Sequence, residues 1–62
     1  MQNQIDAALR AAEAAKKEIE DIRTKIPGSD PNGKKQFLDN AEMGAEWVIK
    51  QLQQLKKVAA ST

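Results

Sequence analysis

Two apolar heptad rows separated by one Pro/Gly-rich break constrain this chain more than any other feature. Ile5, Ala8, Ala12, Ala15, Ile19, Ile22 and Ile26 follow one another at alternating spacings of three and four residues. Leu38, Ala41, Ala45, Val48, Leu52, Leu55 and Ala59 do the same. Between them runs Ile26-Pro27-Gly28-Ser29-Asp30-Pro31-Asn32-Gly33, which no helix crosses intact. The pattern predicts an all-α fold: an antiparallel helical hairpin with one long apolar seam per arm.

The arms are expected at about residues 3–26 and 34–59, with the loop at 27–33, inside one domain of 62 residues. Asn3 is placed to cap the first turn. Glu13 and Lys17 have the spacing of an i,i+4 ion pair. Asp30 and Pro31 read either as a helix cap followed by proline or, with Asn32 and Gly33, as a type I turn. Ala60, Ser61 and Thr62 are expected to fray.

A hairpin this short is under-supplied with core. A chain of this length buries only about 60% of its unfolded surface, and two helices shield each other on one side only. Cysteine and histidine are absent, so disulfides, thiolate sites and the commonest transition-metal ligand are unavailable. Self-association is the remaining way to cover the seams, giving a helical bundle. Leu9, Phe37, Ile49 and Val58 widen the two stripes, which suits more than two helices.

Ten basic and nine acidic residues leave a net charge of +1, so no strong field draws in nucleic acid or an anionic membrane. No apolar run is long enough to span a bilayer, and Met1-Gln2-Asn3-Gln4 does not open like a signal peptide. A cytoplasmic location is expected. Without Cys, His or Tyr, nucleophilic and metal-assisted mechanisms lack their parts, which predicts a non-enzyme with no cofactor and no metal.

The candidate functional residues lie off the seams. Trp47 points away from the centre of its row, with Met43 on the same outer side. Together with Phe37 and Ile49 they are the expected oligomer contacts, since interfaces favour Trp, Met and Phe. Lys34 and Lys35 open the second arm, where first-turn lysines oppose the helix dipole unless an anion is near. Arg10 sits on the outer face of arm one. Arg10, Lys34, Lys35 and Trp47 are the expected ligand-binding residues. The carboxylates Asp39, Glu42 and Glu46 cluster on arm two, without a histidine to make them a convincing metal site.

Pro27, Ser29, Lys34, Leu38, Glu42, Trp47 and Leu52 resemble, in type and order, a family of short phage proteins. These are the helical-hairpin sponges that counter CBASS and Thoeris immunity. The family's second helix reads roughly L-x-x-x-E-x-x-x-x-W-x-x-x-x-I, and here Leu38, Glu42, Trp47 and Leu52 fall on those positions. The resemblance implies an oligomer that holds cyclic di- or trinucleotides, or cyclic ADP-ribose isomers, between protomers without cleaving them. It would place such a chain in the host bacterial cytoplasm. Phosphates would meet Lys or Arg, and Trp47 would stack or pack. Met1 to Leu9 has no counterpart of the family's Tyr-, His- and Pro-containing N-terminal segment, and the loop is longer. The rival expectation is an interaction module: a homo-oligomeric four-helix bundle, or half of a heteromeric one, with no small ligand. An RNA-binding hairpin dimer ranks last, because arm one is electrically balanced.

Overall fold

A computed structural model of the chain describes residues 1–26, 28 and 33–61. Two α-helices account for nearly all of them: α1, Gln2–Lys25, and α2, Lys34–Ser61. They pack against each other as a hairpin, and among the described residues there is no strand. The result is a rod with extents of 50 × 14 × 11 Å.

The helix ends follow from local chemistry, with two departures from expectation. Met1, not Asn3, is the N-cap of α1; its carbonyl accepts from the Ile5 amide at 3.0 Å. Starting there lets Ile5 turn inward, where it is 4% exposed. Ile26 closes α1 in extended geometry (φ −88°, ψ 125°), as a residue before proline should. Arg23 and Lys25 occupy the last turn, where cations favour the negative end of the helix dipole. Gly33 takes φ +69°, a conformation that favours glycine, and its carbonyl accepts from the Gln36 amide at 3.2 Å. At the far end α2 continues past Ala59 to Ser61, whose Oγ donates to the Lys57 carbonyl at 3.0 Å. The expected cap or turn over 30–33 involves Asp30, Pro31 and Asn32, which lie outside the described residues.

The seam is narrower than the heptads imply. Ile5, Leu9, Ala12, Ile19 and Ile26 of α1 are buried or half-buried, and so are Leu38, Ala45, Ile49, Leu52 and Ala59 of α2. Only Ile5 and Leu38 are buried among the described residues, and neither is completely shielded. Ala15, Ile22, Ala41, Val48 and Leu55, expected inside, are exposed. A two-helix contact covers one inclined row of side chains per helix. Two of the seven residues in the first heptad row and three of the seven in the second therefore fall beside the contact rather than in it.

Four ion pairs join the helices; Arg23 also meets Glu42 at 2.7 Å, and the other three set the register. Lys56 Nζ meets Asp6 at 2.7 Å, Lys16 Nζ meets Glu46 at 3.5 Å, and Arg23 Nη2 meets Asp39 at 2.6 Å. In each of these three pairs the two residue numbers total 62, so residue i of α1 stands level with residue 62 − i of α2. The expected Glu13–Lys17 pair does not form; both residues are exposed, and such a pair is worth only a few tenths of a kcal/mol against full solvation. Asp21 and Lys25 make the i,i+4 pair instead, at 3.1 Å.

Candidate functional site

The ion pairs and the exposed apolar residues divide the hairpin lengthwise into two flanks. Asp6, Glu46 and Asp39 each precede by two residues an apolar one: Ala8, Val48 and Ala41. Residues two apart on a helix point about 200° from one another. The charged partners therefore gather on one side of the helix–helix seam and the apolar ones on the other.

On the charged flank Arg23 reaches across to two carboxylates. Its Nη2 donates to Asp39 Oδ1 at 2.6 Å and to Glu42 Oε2 at 2.7 Å. Those two hydrogen bonds, the Asp39 bond first, push the guanidinium pKa further above its already high ordinary value. Glu46 is paired with Lys16. The carboxylate cluster seen in the sequence is thus taken up by cations from α1. Among the described residues no group of three or more acidic side chains is arranged to hold a metal ion.

On the apolar flank an open groove of about 420 Å³ lies at the end of the rod that carries the chain termini. Met1, Gln4, Ile5 and Ala8 line it from α1, and Leu52 and Leu55 from α2. It contains no charged side chain. None of the expected ligand-binding residues borders it. The heptad rows hold the signal for it, since Ala8, Leu52 and Leu55 belong to those rows.

The expected site residues are spread along the rod. Trp47 is 63% exposed and Met43 61%, on the outer surface of α2, away from α1. Phe37 is 71% exposed nearer the loop, while Ile49 is half-buried in the seam. Arg10 and Lys34 are exposed and make no hydrogen bond or ion pair with the described residues; Lys35 is half-buried. By the register, Arg10 stands level with Leu52, eighteen residues from Lys34. At 1.5 Å per residue that is about 27 Å along the axis. Trp47 stands between them, about 20 Å from Lys34 on the same measure. One hairpin does not bring these four side chains to a common point.

Among the described residues no helix is long and apolar enough to cross a membrane. Compared with protein-family models, curated proteins and solved structures, the chain matches none.

Proposed function

We propose that this chain is a non-catalytic, phage-type sponge. It self-associates and sequesters cyclic nucleotide immune signals, and so antagonises bacterial anti-phage defence. The observation that carries the reading is the scatter of its candidate binding groups over a hairpin with almost no interior. An indole and a thioether stand exposed on α2, and the candidate cations are split between Arg10 near mid-rod and Lys34 and Lys35 at the loop end. Groups so placed converge on one small molecule only when copies assemble. That is the arrangement the resemblance at Leu38, Glu42, Trp47 and Leu52 implies. Phosphates then meet Arg10, Lys34 or Lys35, and a base stacks on Trp47. Binding without bond cleavage is consistent with a chain that lacks Cys, His and Tyr.

Native mass spectrometry tests this directly, with and without a panel of cyclic di- and trinucleotides and cyclic ADP-ribose isomers. Discrete oligomers gaining whole-number ligand masses are expected. An assembly indifferent to the whole panel overturns the sponge reading.

A second reading rests on the outer surface of α2. Met43 and Trp47 are large, apolar and exposed together on that surface, with Phe37 exposed nearer the loop, which is the composition of a protein-docking surface. The chain is then a homo-oligomeric bundle or an interaction module with no small ligand. A stable assembly that ignores the panel favours it.

A further inference from the structure

We infer that the apolar flank is where a second copy of this chain docks, antiparallel to the first, with Ile22 of each copy entering the other's terminal groove. The inference rests on the self-association in the proposed function and adds its surface, direction and contacts.

The flank is lined by apolar side chains between Lys34 at the loop end and Gln4 in the terminal groove. Met1, Ala8, Ala15 and Ile22 recur every seven residues on α1, and Ala41, Val48 and Leu55 on α2. A seven-residue step drifts only about 20° around a helix, so each set stays on one side. The groove lining shows that the two sets share a side, because Met1, Ala8 and Leu55 all line it. Ile22, Val48 and Leu55 remain 48%, 42% and 47% exposed in the lone hairpin. The opposite flank is crossed by paired charges and makes a poor self-docking surface.

The area is sufficient. A face of 50 Å by 14 Å offers about 700 Å² per copy. Doubled, that reaches the roughly 1,200–2,000 Å² of standard stable interfaces. The need is equally plain, since only Ile5 and Leu38 are buried among the described residues.

The direction follows from where the bulk and the groove lie. The paired length of the rod is centred between residues 13 and 14 of α1, level with Val48 and Ile49. Ile22 and Ile5 stand equally far from that centre on opposite sides, about 13 Å each. A two-fold axis across the rod at its centre therefore brings each Ile22 to the level of the other copy's Ile5, inside the groove. The same axis sets Val48 against its own symmetry mate, as an isologous contact requires. A parallel pair instead sets Val48 against Ala15 and leaves both grooves facing each other.

The chain has no cysteine, which makes cross-linking unambiguous. Val48→Cys, oxidised with copper-phenanthroline in air and without any nucleotide, is expected to give a covalent dimer as the main product. Trp47→Cys under the same conditions is expected to stay uncrosslinked. In sedimentation velocity, Val48→Glu is expected to weaken association at least ten-fold while circular dichroism keeps its helical signal. A wild-type monomer at the highest attainable concentration overturns both this inference and the self-association beneath it. Cross-linking through Trp47→Cys but not Val48→Cys overturns the inference alone. If Val48→Cys cross-links and the cyclic nucleotide panel fails, the interface stands and only the sponge reading falls.

Discussion

The two flanks of this hairpin are built from the same turns of helix and differ in what they leave undone. On one, cations of α1 meet carboxylates of α2, and the surface is complete as it stands. On the other, alanines, Ile22, Val48 and Leu55 face outward with nothing against them. Exposed ion pairs contribute little stability each, whereas burying an aliphatic side chain contributes about 1.5–3 kcal/mol. The finished flank therefore sets the geometry, and the unfinished one holds most of the stability still to be gained. A heptad pattern read as one seam had merged the two.

The sharpest way to break this contrast is Leu38→Ala. Leu38 is 7% exposed, and removing it should cost about 2–5 kcal/mol, enough to unfold most of the population. Leu55→Ala is the paired measurement. In a monomer it costs far less than Leu38→Ala, and a comparable loss in thermal unfolding marks Leu55 as buried by a second copy. Next is Ala12→Leu, at a half-buried position of the seam. Overpacking should cost about 1–3 kcal/mol, and an unchanged melting temperature would mean the alanine seam is loose. Arg23→Ala should lower the melting temperature by less than either, with the deficit shrinking as salt is added. A deficit independent of salt would point to packing by the arginine stem. Trp47→Ala is the smallest change for stability and assembly, and on the sponge reading it abolishes nucleotide binding. Calorimetric titration with unchanged affinity removes Trp47 from the site.

Much of the architecture was legible in the residues. Pro27 with its neighbours announced the break, and the three-four spacing of Ile5 to Ile26 and Leu38 to Ala59 announced two helices. Trp47 and Met43 were correctly placed outward by their angle from the row. The sequence did not disclose which half of each stripe faces the other helix. That choice is made by pairs such as Lys16 with Glu46, whose partner lies thirty residues away and carries no periodic signal. The same holds for Arg23, which read as one charge among ten until α2 brought Asp39 and Glu42 to it. Asn3 looked like a cap because its side chain suits one. The cap is Met1, two residues earlier, which leaves Asn3 in the first turn and Ile5 buried.

The total of 62 shared by three of the four ion pairs between the helices has a consequence for how the hairpin reads its own alignment. Alanines along the contact offer little steric resistance if one helix slides past the other by a turn. The charges do resist. A slip of four residues one way sets Lys16 level with Lys50, and the same slip the other way sets Arg23 level with Lys35. Either error meets cation with cation while dissolving at least one of the pairs. The ladder thus works as a vernier: smooth rods that fit at many offsets are left with one at which three marks line up together.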